Sequence, residues 1–293
     1  MKILITGSKG QLGNELQDII KTGKAEIGHV SEEIKNAEVF PLDVEELDIT
    51  NLEQVKSVLN EIKPDVVINC AAATNVDGCE TNKDLAFKIN AVGPKNLAMV
   101  CEQINAKLVQ VSTDYVFSGL GETPLTEYDL TEPHSVYGKT KLLGEKYVKE
   151  FSSKYYIVRT AWLYGYVGKN FVYTMMTLGK EKESLNVVND QKGNPTHAND
   201  LAYHILKLIG TEEYGIYHCT GKGECTWYEF AKLIMELNGS ECIVNPCISE
   251  EFKTIAKRPA YSSLDNMMLR CTIGDEMREW KDALKGFFIK NNV

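Results

Sequence analysis

The chain has 293 residues, 43% of them hydrophobic, which is enough for one large domain or two modest ones and excludes a disulfide-stapled peptide scaffold. Its 32 Lys and Arg against 41 Asp and Glu leave a net charge of −9 with no basic block, which excludes an obvious nucleic-acid footprint. Eight cysteines without a CxxC pair read as reduced thiols, no apolar stretch approaches the ~20 residues of a membrane span, and MKILITG runs straight into a strand, so a cytoplasmic, soluble protein is expected.

Short β-branched runs alternate with amphipathic segments through the first half, the pattern of βαβ units in a doubly wound parallel sheet. Strands are predicted at Lys2–Thr6, Glu38–Leu42, Asp65–Asn69, Lys107–Ser112 and Tyr155–Thr160. Helices are predicted over Gln11–Thr22, Leu52–Ile62, Leu85–Gln103 and Tyr137–Phe151. The polar, aperiodic stretch from Lys21 to Asn36 reads as an extra loop or short helix in the first crossover. Further helices are expected at Phe171–Lys182, Asn199–Ile209 and Thr226–Leu237, while Asp190–Thr196 is loop-like and the alternation becomes irregular. That irregularity suggests a smaller substrate-facing lobe woven from the second half. The expected division is a dinucleotide-binding domain over 1–163, with 185–218 returning to it, and a substrate lobe over 164–184 and 219–293.

The first strand leads into Gly7-Ser8-Lys9-Gly10-Gln11-Leu12-Gly13 and then a helical pattern. Strand, glycine turn and helix N-terminus in that order let a pyrophosphate approach backbone N–H groups without a Cβ in the way. The spacing is GxxGxxG, so the context carries more weight than the motif. Asp43, after the second strand, is the candidate for the adenosine ribose, and Asp48 is a second acidic candidate that also suits a turn before the next helix. A carboxylate there favours NADH, and Lys9 in the loop could offset that for NADPH.

Tyr137 and Lys141 stand four residues apart on one helical face, a spacing at which an ammonium can lower a phenol's pKa and hold a ribose. Tyr203/Lys207 and Tyr228/Lys232 share the spacing, so position must single out the first pair. The preceding strand ends Val111-Ser112-Thr113-Asp114, placing a hydroxyl at the C-terminal sheet edge where ligands bind. Thr113 and Tyr137 would polarise a carbonyl oxygen, Tyr137 would deliver the proton and a nicotinamide the hydride.

Taken together, ITGSKGQLG, Leu47-Asp48-Ile49-Thr50, Asn69–Glu80 (NCAAATNVDGCE), Ser112–Phe117, Val136–Lys141, Arg159-Thr160-Ala161-Trp162, Asp190-Gln191 with Gly193 and Pro195-Thr196, and Arg258-Pro259 resemble the extended short-chain dehydrogenase/reductase family from end to end. The resemblance implies a Rossmann-type fold and, within the branch acting on dTDP-sugars, reduction of the C4 ketone of dTDP-4-dehydro-L-rhamnose, the last step of dTDP-rhamnose biosynthesis. It implies catalysis by Thr113, Tyr137 and Lys141. It also implies cofactor contacts from Gly7, Gly10, Gln11, Leu12, Gly13, Ala71 and Ala72, and substrate contacts from Thr74, Val76, Tyr115, Trp162, Gln191 and Arg258. Relatives form homodimers, some with Mg²⁺ at the interface; five scattered His leave metal use open here. Ala73 stands where relatives often carry an aromatic residue or His. The competing readings are another nucleotide-sugar ketoreductase or epimerase, and a catalytically silent dinucleotide-binding regulatory subunit.

Overall fold

The computed structural model describes residues 1–291. Six parallel strands form the central sheet in the order Glu38–Leu42, Lys2–Thr6, Val66–Asn69, Lys107–Thr113, Tyr155–Thr160, Gly215–His218. Counted along the chain this is 2-1-3-4-5-6, so the strand order reverses beside Lys2–Thr6, the place where open parallel sheets bind ligands beyond the carboxyl ends of their strands.

Period-two alternation splits the sheet residues between two cores. Ile3, Ile5, Val66, Ile68, Val109 and Val158 face the helices Gln11–Thr22 and Ala198–Ile209. Leu4, Val67, Leu108 and Ile157 face the opposite layer, with Val55 and Leu59 of Leu52–Ile62 and Leu97 and Val100 of Gly93–Gln103. Burial on both faces is why these strands carry unbroken apolar runs. The Lys21–Asn36 crossover forms a small hairpin, Lys24–Ala25 against Gly28–His29, followed by the short helix Glu32–Lys35.

The helix expected over Leu85–Gln103 is instead three pieces: Lys83–Phe87, a π-turn at Lys88–Val92, and Gly93–Gln103 with Pro94 in its first turn. Pro94 has no N–H to give the Asn90 carbonyl, so the helical ladder cannot run through unchanged. Gly144 of the neighbouring helix Val136–Phe151 packs against that carbonyl, where any Cβ would collide with it.

The smaller lobe gathers the helices Phe171–Glu181, Trp227–Leu237 and Trp280–Lys290 around the parallel pair Ser184–Val188/Ile243–Cys247. Its core is aromatic, with Tyr164, Phe230, Trp280, Phe287 and Phe288 all buried. The chain's return to the sheet was expected from residue 185 but begins at Ala198, because Ser184–Val188 pairs inside the smaller lobe. In the other direction, Leu269 and Met277 reach back into the core of the sheet domain, so 219–293 is not wholly a separate lobe.

Candidate active site

The glycine turn is shaped by close approach. Gly7 has φ +61°, and a Cβ on it would lie 2.8 Å from the Ala71 amide nitrogen. A Cβ on Gly13 would lie 2.5 Å from the Gly7 carbonyl oxygen and 2.7 Å from the Ser8 Cα. The turn therefore tolerates side chains at neither end. Gly10 caps the Gln11–Thr22 helix with no side chain, which leaves the first-turn N–H groups for an anion, so the cradle fits a dinucleotide pyrophosphate. Gln11 and Leu12 can contribute only backbone there. The Gln11 side chain accepts a hydrogen bond from Asn170 Nδ2 of the smaller lobe at 3.2 Å, and Leu12 is core.

The two acidic candidates part company. Asp43 accepts hydrogen bonds from the Lys9 and Val44 amides at 3.0 and 2.9 Å, tying the end of the second strand to the glycine turn. Asp48 instead accepts from the Thr50 amide and hydroxyl at 2.9 and 2.8 Å, a turn-building role just ahead of the Leu52–Ile62 helix. Lys9 pairs with Glu45 at 2.9 Å, both well exposed, so its ammonium remains displaceable.

At the C-terminal edge of the sheet, Thr113 ends its strand and Tyr137 sits in the first turn of Val136–Phe151, whose N-cap Ser135 accepts from the Gly138 amide at 3.1 Å. Thr113 donates to Asp114 Oδ1 at 2.8 Å and accepts from the Tyr115 amide at 3.2 Å. The Tyr115 ring stands edge-on to Tyr137 with centroids 5.5 Å apart. Burial pushes the Tyr137 phenol well above its ordinary value, the Thr113 hydroxyl being the main opposing influence. The lowering expected from Lys141 is absent: Lys141 donates to the Val111 carbonyl at 2.6 Å, and desolvation outweighs any nearby cation. Burial also brings Lys141 itself down to about 8, with Glu145 pulling the other way. Beneath the site, Arg159 grips Glu145 through two hydrogen bonds of 2.9 and 2.7 Å, both residues almost fully buried, and Ser112 adds a third to the same carboxylate. Beside that guanidinium, burial first and Arg159 second push His218 down to about 3, so it is neutral.

Among the substrate candidates, Arg258 reaches the Tyr115 hydroxyl and the Asp77 carboxylate, each at 3.4 Å, and Asp77 also accepts from the Ala256 amide at 2.9 Å. This brings Tyr115, Arg258 and the Val76–Thr81 helix together; Thr74, just before it, is exposed. Trp162 follows the Tyr155–Thr160 strand at φ +46°, a region unfavourable for a bulky residue, and stacks on Trp227 of the smaller lobe at 3.5 Å and 8°. Gly193 lies beneath it, where a Cβ would meet the indole at 2.6 Å. Gln191 faces inward and donates to Ser249 at 2.9 Å, so it braces a loop of the smaller lobe.

Residues 1–292 match the family model described as the RmlD substrate binding domain. The chain belongs to this family. A crystal structure of a dTDP-4-dehydrorhamnose reductase from Clostridium acetobutylicum is 54% identical, covers 100% of both chains and superposes with a TM-score of 0.94. Another, from Bacillus anthracis in complex with NADP, is 44% identical over 99% of both chains with a TM-score of 0.92. A dTDP-4-dehydrorhamnose reductase from Streptomyces griseus is 40% identical over 97% of this chain and 92% of its own length.

Three features of this RmlD-family site lie outside the residues expected from the sequence. Asn90, in the π-turn, accepts from the Ala73 amide at 2.8 Å and donates to the Ala73 carbonyl at 3.1 Å and the Thr140 hydroxyl at 3.3 Å, pinning the Ala71–Ala73 segment to the helix that carries Tyr137. Its signal was Pro94, four residues on. Asp77, inside the NCAAATNVDGCE segment but not singled out in it, holds Arg258, and Trp227, which nothing local in the sequence marks, backs Trp162. Among the described residues no group of three or more His, Cys, Asp or Glu is arranged to hold a metal ion, and no helix is long and apolar enough to cross a membrane.

Proposed function

We propose that the chain reduces the C4 ketone of dTDP-4-dehydro-L-rhamnose to dTDP-L-rhamnose, using NADPH or NADH. The observation that carries this reading is the convergence of Thr113, Tyr137 and Lys141 at the sheet edge beside the glycine cradle, in a chain similar over its whole length to dTDP-4-dehydrorhamnose reductases.

Gly7, Gly10, Gly13 and the backbone of Gln11 and Leu12 would hold the dinucleotide pyrophosphate, and Ala71 and Ala72 would flank it. Asp43 would serve as the ribose acceptor, with Lys9 free to turn to a 2′-phosphate. When bound, the nicotinamide supplies a hydride to the ketone carbon. Tyr137 holds the proton that the forming alkoxide takes. Its upward-shifted phenol stays protonated at neutral pH, the state a donor needs in the reductive direction. Lys141, an ammonium below about pH 8, is placed to hold the ribose once it exchanges its Val111 carbonyl contact. Arg258 would leave Asp77 for the substrate diphosphate, which its planar fork suits, and Tyr115, Val76 and Trp162 would wall the sugar. Thr74 and Gln191 would act at the rim, Gln191 through the loop it braces. We further infer a cytoplasmic homodimer, the state implied by the family resemblance; sedimentation of the purified chain tests the dimer.

The test is parallel oxidation of NADH and NADPH by purified protein given enzymatically generated dTDP-4-dehydro-L-rhamnose, with GDP-linked and unepimerised ketosugars as controls. Turnover confined to the first substrate is expected. Turnover on none of them, with normal dinucleotide binding, would overturn the reductase reading.

A further inference from the structure

Trp162 is held in place from outside its own strand. The sheet register pairs Thr113 with Thr160, so Trp162 stands two residues beyond the strand end that lies beside Thr113. Its backbone takes φ +46°, a region that a bulky side chain occupies only when its surroundings impose it. The Trp162 carbonyl accepts from the Thr196 amide at 3.2 Å, which ties down the backbone. The indole is gripped by two residues of the smaller lobe. Trp227 stacks on it at 3.5 Å and 8°, and Gly193 lies so close that a Cβ there would meet the ring at 2.6 Å. Both parts of the grip belong to one hydrogen-bonded unit, because Lys192–Gly193 pairs antiparallel with Cys225–Thr226, the strand that runs into the Trp227–Leu237 helix. Thr226 caps that helix through a reciprocal box with Glu229, and Trp227 also packs on Phe171 with centroids 4.6 Å apart, so Trp227 is itself fixed.

We propose that Trp227 is a positioning residue: together with Gly193 it holds Trp162 in the left-handed backbone conformation and thereby fixes one wall of the sugar site. This rests on the reductase reading above, in which Trp162 faces the sugar. The stack supplies an attraction between flat rings that bulk alone does not give. The cost of keeping Trp162 at positive φ is met within the free protein, so the sugar meets a wall that is already ordered. Without the grip Trp162 relaxes toward negative φ, and substrate must order it on binding. That penalty falls on the bound substrate and on the transition state alike, so it raises KM and leaves kcat nearly unchanged.

The experiment compares wild type with Trp227→Leu, Trp227→Phe and Gly193→Ala. Trp227→Leu should raise the KM for dTDP-4-dehydro-L-rhamnose about tenfold, with kcat within about threefold and the KM for the dinucleotide within about twofold. Trp227→Phe, which keeps a flat aromatic face, should return the sugar KM to within about threefold of wild type. Gly193→Ala leaves Trp227 intact and displaces Trp162 from the other side, so it should raise the same KM and serves as the test if Trp227→Leu does not fold. An unchanged sugar KM in Trp227→Leu or Gly193→Ala, a Phe variant as impaired as the Leu variant, or an equal rise in the dinucleotide KM would overturn the inference. A readout independent of turnover is NMR of protein carrying ¹³C-labelled tryptophan, which gives signals from three residues, Trp162 being assigned by its loss in Trp162→Phe. The Trp162 Cα and Cβ shifts report its backbone conformation and should leave the left-handed range in Trp227→Leu and Gly193→Ala. Shifts that stay in that range would also overturn it. Absence of wild-type turnover would sink the reductase reading, and the carbon shifts would still decide whether Trp227 and Gly193 hold Trp162.

Discussion

Replacing Asp114 by Asn should change how the protein's stability depends on pH, and the change can be worked out from one group. Asp114 sits at about 6 against an ordinary 3.8, raised by burial. A carboxyl raised on folding contributes stability that is fully present below its unfolded value and is lost as pH rises through its folded value. At 1.36 kcal/mol per unit, the loss is about 3 kcal/mol by pH 8, of which about 1.4 kcal/mol falls between pH 5 and pH 8. Asparagine does not titrate, so the stability gap between variant and wild type should move in the variant's favour by about 1.4 kcal/mol across that interval, whatever fixed cost the new amide brings. In a chain of this size that is a relative Tm shift of roughly 3–6 °C. Thermal unfolding of both proteins at pH 5, 6, 7 and 8 measures it. A gap that stays constant across the series would show that Asp114 ionises normally in the folded chain and that its burial has been misjudged.

The remaining predictions concern the site and its support. Tyr137→Phe should lower kcat by about 10²–10⁴-fold, the usual contribution of a positioned acid, while dinucleotide affinity measured by fluorescence titration survives. Gly13→Ala should abolish dinucleotide binding, since its methyl would sit 2.5 Å from the Gly7 carbonyl oxygen and 2.7 Å from the Ser8 Cα; retained binding by calorimetry would contradict the cradle. Arg159→Met leaves Glu145 buried without its cation and should cost about 3–5 kcal/mol, whereas Arg159→Met with Glu145→Met should recover most of that. Equal denaturation midpoints for the single and double variants would show that the pair is not coupled.

How much of this was legible in the sequence depended on the range of the interactions. The strands Lys2–Thr6 and Tyr155–Thr160 were readable to the residue because strands buried on both faces need continuous apolar runs, and the edge strand Glu38–Leu42, half-exposed, was readable from its place between two helical stretches. The glycine turn was readable at Gly13, which answers to the Gly7 carbonyl and Ser8 within the turn, whereas Gly7 answers to Ala71 on the neighbouring strand's end. The π-turn was partly written in Pro94, yet its product, an Asn90 amide clamped on Ala73, needed the fold to show what lay opposite.

The sequence by itself determined the parallel α/β architecture and the glycine turn at its first crossover, and it singled out Thr113 and Tyr137 as candidates by their place at the end of a strand and the start of the next helix. Only the tertiary structure decided their states. Tyr137 is pushed up rather than down because burial outweighs a lysine bonded to the Val111 carbonyl. Asp48 accepts from the Thr50 amide and hydroxyl, and Gln191 donates to Ser249. Ser184–Val188 joins Ile243–Cys247 across more than fifty residues of chain. Desolvation and long-range pairing depend on what surrounds a residue in space, and no spacing along the chain encodes that.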